Sequence, residues 1–399
     1  MKPFNERLSA LKQHVDDGGV CIMIVGLGSV GSYLLDYILS RNDETIKVVT
    51  VGRNQDKMRV KVNIARVAAL IREQCKSEIE LECGVDLNDV GAIAEAIAKY
   101  QPNFIVNSSR AYPGLKYGSI SWKNIRAYGI WSPLAIRFTK NIMQACNDVD
   151  TNAIVINTSY PDAVNAWLKS AGRAYPDFGS GNFNHLIPRI RYAVADILHV
   201  KDFWNVDLTF AAGHFHDVCI SKEGHTENIP LLLNVRYRGQ KQNIDQNDIF
   251  AKCNILMPVD ATRNMMNASS NFRIIDALVS TVRDKKSRRI FPPGAFGEIG
   301  GLPVLIDCND NALRAAIDTS DFTLEQMREV NRKSMYLDGI EKIVDDKLFY
   351  TDELIQKVRQ AFDVELPKSV AYDEIEDIAQ FIINRIVIPN DHRGGNYIT

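Results

Sequence analysis

The chain has 399 residues, 46% hydrophobic and 24% charged, with a net charge of −2; this is ordinary globular composition, long enough for two domains and a large core. The balanced charge excludes a broad nucleic-acid-binding surface, and the locally basic run 283–289 reads as a solvated helix end. Seven scattered cysteines without a C-x-x-C pair argue for a reducing compartment and against a disulfide framework or zinc knuckle, and with no apolar signal region and no membrane-length apolar run a cytoplasmic location without membrane contact is expected.

In chain order, residues 4–17 predict a short leading helix. Val20-Cys21-Ile22-Met23-Ile24-Val25 is an unbroken apolar run that suits a strand buried on both faces. Past the glycines that follow, Leu34, Leu35, Ile38 and Leu39 keep helical spacing. A second strand is expected over 46–51 and a helix over 56–75, with Asp56 as its N-cap. A third strand alternates over 79–85, and Val90, Ile93, Ala94 and Ile97 mark the next helix. Phe104-Ile105-Val106 is a fourth strand with Asn107 and Ser108 at its end. The alternation predicts an α/β, doubly wound parallel sheet of the Rossmann type over residues 1–110. A loop at 110–121, a helix at 132–147 and a fifth strand ending at Asn157 follow. Beyond 160, short strands at 205–212, 217–221 and 231–237 mix with longer helices, and the last sixty or so residues read as charged helix. The expected organisation is a dinucleotide-binding domain over 1–160, then a mixed α+β catalytic domain with extra C-terminal helices over 161–399.

Gly26-Leu27-Gly28-Ser29-Val30-Gly31 sits between the first strand and its helix. In a G-x-G-x-x-G turn the first glycine allows the tight turn, the second lets backbone approach a diphosphate, and the third lets helix and strand pack closely. The helix N-terminus, here Ser29, Val30 and Gly31, then offers free N–H groups to an anion. An acid at the end of the second strand would favour NAD by binding the ribose 2′-hydroxyl. Arg53 stands there instead, 22 residues past Gly31. Its planar fork matches a 2′-phosphate, so NADP is the expected cofactor, with NAD as the alternative.

Four later segments carry a further pattern. Ile154-Val155-Ile156-Asn157-Thr158-Ser159-Tyr160-Pro161 is a strand ending in Asn, and Asn184-His185-Leu186-Ile187-Pro188-Arg189 leads into a long helix with an Arg near its start. Ala211-Ala212-Gly213-His214-Phe215-His216-Asp217 places histidines after a strand, and Gly297-Glu298-Ile299-Gly300-Gly301-Leu302-Pro303-Val304 precedes a late strand and helix. With the glycine turn, this order resembles the lactate/malate dehydrogenase superfamily, which includes the dinucleotide- and metal-dependent family 4 glycosidases. The resemblance implies hydride transfer between a nicotinamide cofactor and a small hydroxy or keto acid, a soluble homo-oligomer, a catalytic His at His214 or His216, and a substrate-binding Arg at Arg189. The sequence departs from the family's pattern at Leu186, where the dehydrogenases carry the Asp that pairs with the catalytic His, and it lacks their Gly-Glu-His-Gly motif.

The chemistry needs a proton donor and a cation for the substrate carboxylate. Histidine suits the first and arginine the second. His214 and His216, two apart at a predicted strand end, should point the same way; His225 is a reserve. Arg189 is expected in the first turn of a helix started by Pro188. Asn157, at the carboxyl edge of the sheet, is placed to touch substrate or cofactor ribose, and Asn107 and Ser108 to line the cofactor. The segment 110–126, with Arg110, Lys116 and Arg126, is a candidate lid carrying a second cation. No metal ligands are required by this reading. Two alternatives are a metal-assisted glycosidase-like enzyme using Asn184-His185 and Phe215-His216, and a dinucleotide-binding sensor without catalysis.

Overall fold

The computed structural model describes residues 1–390 apart from Asn182 and Val259; the last part of the expected C-terminal helical region, 391–399, lies outside them. Helix α1 (Phe4–Asp16) precedes β1 (Val20–Val25), α2 (Ser29–Ser40), β2 (Ile46–Gly52), α3 (Gln55–Ile71), β3 (Glu78–Cys83), α4 (Val90–Tyr100) and β4 (Phe104–Asn107). Then come α5 (Gly114–Asn124), α6 (Ser132–Asp148), β5 (Ile154–Asn157), α7 (Pro161–Ser170) and β6 (Phe178–Gly179). The six strands form one parallel sheet in the order β3-β2-β1-β4-β5-β6, the doubly wound order of a dinucleotide-binding sheet. The expected α/β class is therefore the observed one, and the sheet takes its sixth strand from beyond residue 160.

Apolar side chains alternate to both faces of this sheet, and each face has its own core. On one side Ile22, Ile24, Val48 and Val106 pack against Leu34, Leu35 and Ile38 of α2 and Leu8 and Leu11 of α1. On the other, Met23, Val25, Ile105 and Val155 pack under Ile93 and Ile97 of α4 and Ile136, Ile142 and Met143 of α6. The strand ends lie level: Val25 pairs with Asn107, Asn107 with Asn157 and Asn157 with Gly179. Every residue leaving these strands thus meets at one carboxyl edge, where α/β sheets bind ligands.

The remainder comprises α8 (Phe183–Ile197), β7 (Val206–Ala211), α9 (His214–Glu223), β8 (Leu232–Tyr237), β9 (Gln240–Lys241), α10 (Gln246–Ala251), α11 (Asn264–Asp284), β10 (Arg288–Ile290), β11 (Val304–Cys308), β12 (Leu313–Ile317) and α12 (Leu324–Leu337). It ends with β13 (Ile340–Val344), β14 (Lys347–Tyr350), α13 (Asp352–Phe362), β15 (Ser369–Ala371) and α14 (Ile375–Ile382), which continues through a π turn to Val387. The strands from β7 to β15 form antiparallel sheets of three strands each. Among the described residues no helix is long and apolar enough to cross a membrane.

Local expectations fail at several places. Asn54, not Asp56, caps α3, its side chain accepting from Lys57 N at 3.0 Å. Part of the expected loop 110–121 is helical, because Pro113 sets up the start of α5. The expected strand 217–221 is the middle of α9; its short apolar run suits either element, and Gly213 and Gly224 bound a helix there. Pro188 does not start α8 but lies inside it, so Arg189 sits in the second turn rather than the first. The charged C-terminal region contains the β13–β14–β15 sheet; Asp345 and Asp346, both at positive φ, make a two-residue hairpin turn that the helical reading overlooked.

One buried ion pair fixes the leading helix to the sheet. Arg7 donates twice to Asp177 at 2.5 Å and once to Ala153 O at 2.8 Å, and Asp177 accepts from Val155 N at 2.9 Å. Breaking one partner of such a pair strands the other charge in the core, so Asp177→Ala is expected to lower stability by about 3–5 kcal/mol in urea unfolding.

Candidate functional site

The glycine turn is built as its sequence demands. Gly26 leaves β1 at φ 88, a backbone conformation that suits glycine, and Ser109 abuts it so closely that a Cβ would force a shift. A Cβ on Gly31 would collide with the carbonyl oxygen of Gly26. At Gly28, by contrast, a side chain would meet nothing: the space in front of α2 is open. Gly28 is the N-cap of α2, and among the described residues no side chain caps the helix. The amides of Ser29, Val30 and Gly31 therefore face an open cradle at the positive end of the helix dipole. That arrangement fits an anionic diphosphate.

Neighbours close around this turn. Ser108 Oγ donates to Gly26 O at 2.5 Å. Asn264, first residue of α11, donates to Ser29 Oγ at 2.6 Å. Lys61 reaches from α3 to Leu27 O at 2.7 Å, and burial holds its ammonium pKa below the usual value. Arg53 projects from the end of β2 with 77% of its side chain exposed, 3.8 Å from Asp86, within the region where a nucleotide ribose would lie.

The second part of the site stands where β5 and β7 deliver their exits. The chain leaves β7 through Gly213 and enters α9 at His214. His214 Nδ1 lies 2.9 Å from Asp338 Oδ2, and Tyr160 donates its hydroxyl to the same oxygen at 2.6 Å. Asp338 Oδ1 accepts from Tyr128 N at 2.7 Å. The rings of Tyr128 and Tyr160 meet the imidazole edge-on, each with centroids 4.9 Å away. A narrow cavity lined by Tyr160, Asp162, His214, Gly300, Met335 and Asp338 opens beside the pair.

The electrostatics follow from burial and charge. Burial alone would push the His214 imidazole down, but Asp338, with Asp162 and Asp217 behind it, holds it up at about 9. Burial raises the carboxyl of Asp162 to about 6 and that of Asp217 to about 7, although His214 pulls against both. Among the described residues, one oxygen of each has no hydrogen-bond partner. Arg189 and Arg263 lie close enough to lower the Asp217 value. The site is thus a protonated imidazole held on a buried carboxylate, with two arginines nearby: a set that can donate a proton and attract an anion.

The residues anticipated from sequence divide between these two regions. Gly26, Gly28, Ser29, Val30, Gly31 and Ser108 come together in the cradle. His214 stands in the second region, and His216 does not share its direction: on a helix rather than a strand, residues two apart face different ways. His216 is buried, and burial pushes its pKa down to about 4 against a small opposing pull from Thr226 and Glu227. Asn107 and Asn157 are buried and committed to one internal network. Asn107 donates to Thr139 at 3.0 Å and Asn157 at 3.3 Å, and Asn157 donates to Asn165 and Ser159 O, each at 3.1 Å. Arg189 is buried, donating to Cys253 O at 2.7 Å, and its Nε has no partner among the described residues. Arg126 is drawn to Glu223 and Glu227, with His225 beside them, whereas Arg110 reaches Thr158 O at 3.5 Å, past the end of β5.

Sequence reasoning missed Asp338, Asp162, Tyr160 and Arg263 as site residues. Tyr160 was within reach, three residues past Asn157. Asp338 was not: it caps α12, 124 residues after His214. Leu186, where an acid was sought, is packed in the core.

No protein-family model matches the sequence, and neither does any curated protein. Solved structures do. A lactate dehydrogenase from Cryptosporidium parvum aligns over 80% of this chain and 97% of its own at TM-score 0.53 and 16% identity. The malate dehydrogenase of the same organism aligns over 80% and 98% at TM-score 0.51 and 14% identity. The fold is that of the lactate and malate dehydrogenases. A lactate dehydrogenase from Eimeria maxima aligns over 80% and 91% at TM-score 0.50 and 14% identity.

The pairing of His214 with Asp338 sets a titration. His214 is held above its unfolded value of ~6.5, so its contribution to stability is complete below that pH and is lost as pH rises through about 9. By histidine NMR, His214 is expected to titrate near about 9 and His216 near about 4. In Asp338→Asn the His214 value falls by more than ~1 unit, and the stability deficit of that variant is largest in acid and narrows toward alkaline pH.

Proposed function

We propose that the protein is a nicotinamide-dinucleotide-dependent oxidoreductase that interconverts a small hydroxy acid and its keto acid. The observation that carries this reading is the His214–Asp338 pair, 2.9 Å apart, on the same fold as an open helix-end cradle for a diphosphate. The two lactate dehydrogenases support it: one is complexed with lactic acid and β-nicotinamide adenine dinucleotide, the other is a structure with NADH and oxamate. Residues 1–160 form the dinucleotide-binding half in this proposal, and 161–399 the substrate half.

The amides of Ser29, Val30 and Gly31 hold the diphosphate, with Gly28 leaving room and Lys61 adding positive charge. Arg53 meets the ribose end, which favours NADP(H) over NAD(H). The bound nicotinamide supplies or accepts the hydride. His214, protonated at neutral pH, donates its proton to the developing alkoxide in reduction and takes it back in oxidation, while Asp338 stabilises the imidazolium. Arg189 and Arg263 provide positive charge for the substrate carboxylate, and Arg110 is the lid cation best placed to join them. Asp338 supplies the carboxylate missing at Leu186, which favours an enzyme over a sensor. The glycosidase-like reading finds less support. Among the described residues, the His, Cys, Asp and Glu side chains grouped closely enough to share an ion include neither His185 nor His216.

With a panel of small 2-keto acids, kcat/KM is expected to be higher with NADPH than with NADH, and Arg53→Ala erases that preference. His214→Asn is expected to lower kcat by roughly 10²–10⁴-fold while the cofactor still binds. Cofactor oxidation absent across the panel sinks the proposal.

A homo-oligomer belongs to the same reading. Val60, Ile64, Val67, Leu70 and Ile71 lie exposed along α3, an apolar patch that monomers seldom leave in water. A second copy bearing the same stripe is its occupant. Light scattering is expected to give the mass of two or more chains, and Ile64→Asp to reduce it to one; a monomeric wild-type protein refutes this part.

A further inference from the structure

The far end of α9 carries a cluster that the proposed reaction does not use. Cys219 and Glu223 are one helical turn apart and share a face. Gly224, in the left-handed region at φ 75, ends the helix and turns the chain back, so that His225 and Glu227 arrive beside them. One ligand atom from each of the four lies within 4.8 Å of the others. The Cys219 sulfur is 3.5 Å from His225 Nδ1, 3.8 Å from Glu223 Oε2 and 3.7 Å from Glu227 Oε1. His225 Nδ1 is 3.8 Å from Glu227 Oε1. Zinc bonds of about 2.0–2.3 Å in tetrahedral array require ligand–ligand edges of roughly 3.3–3.8 Å. Four of the six edges already fall within that range.

A cation already lies against the carboxylates of this cluster. Arg126 Nη2 lies 2.6 Å from Glu223 Oε2 and 3.7 Å from Cys219 Sγ, and also contacts Glu227 Oε1. Arg126 Nη1 and Trp122 Nε1 donate to the other oxygen of Glu223, at 2.9 and 3.1 Å, the kind of outer support that orients a ligating carboxylate. A thiol and an imidazole beside two carboxylates select a zinc-class ion over magnesium or calcium.

We propose that Cys219, Glu223, His225 and Glu227 form a divalent metal site of the zinc class, and that Arg126 pairs with its two carboxylates in the metal-free protein. Binding forms the metal–sulfur bond as the Cys219 thiol releases its proton to solvent, and it displaces the Arg126 guanidinium from the two carboxylates. The site is separate from the His214–Asp338 pair and does not depend on the proposed reaction.

Cobalt(II), added to the chelator-treated full-length protein, tests this. One equivalent is expected to produce a sulfur-to-cobalt charge-transfer band and tetrahedral d–d absorption, both abolished by one equivalent of zinc. Cys219→Ser removes the charge-transfer band, and His225→Ala, at a half-exposed position that folding tolerates, weakens cobalt binding by at least about tenfold. Arg126→Ala tightens it by removing the competitor. A wild-type protein without the sulfur band, or a band that persists in Cys219→Ser, overturns the site. Cobalt binding that does not tighten in Arg126→Ala overturns the role given to that arginine.

Discussion

The arrangement of the second half depends on one buried carboxylate. Asp338 has almost no exposed surface, and a bare charge there would be prohibitive. It is met by the amide of Tyr128, the hydroxyl of Tyr160 and the ring of His214. Those partners come from the segment between α5 and α6, the exit of β5 and the start of α9, while Asp338 itself ends α12. Four distant pieces of chain must therefore converge for the charge to be accommodated. The geometry that stabilises the carboxylate is the same geometry that fixes the imidazole's orientation and its proton.

The two charge states at α9 show how environment separates identical side chains. His214 and His216 are two residues apart, yet one is held protonated by a carboxylate and the other neutral by burial. Helix rotation makes the difference, turning one ring toward Asp338 and the other into a buried site where desolvation outweighs its polar neighbours. The same helix ends on carboxylates drawn to Arg126. Both ends of the helix thus meet ionic partners, while Ile220 between them packs into an apolar core.

The parallel sheet was legible in sequence because its signals are local. An apolar run ending in Gly26-x-Gly28-x-x-Gly31 specifies strand, turn and helix within a dozen residues, and repeated alternation does the rest. Short apolar runs were less informative: 217–221 reads as a strand until Gly213 and Gly224 are taken as helix limits. Pro188 misled because proline was treated as a starter, whereas tertiary packing keeps it inside α8. The polar partners of the site were the least legible. Asp338 is one acid among forty-nine Asp and Glu residues, and nothing near it in sequence marks it as the mate of His214. Asn107 and Asn157 were easy to find at strand ends, but their partners Thr139 and Asn165 were not, so their internal network stayed hidden.

The bond between Ser29 and Asn264 spans 235 positions of the chain. The glycine turn is thus steadied by a helix made long after the sheet that carries it. A chain emerging from the ribosome can complete β1 to β5 and still lack the α11 wall of its anion cradle, since such remote closures are slow relative to local ones. The wall of the cradle is therefore complete only once synthesis has passed α11.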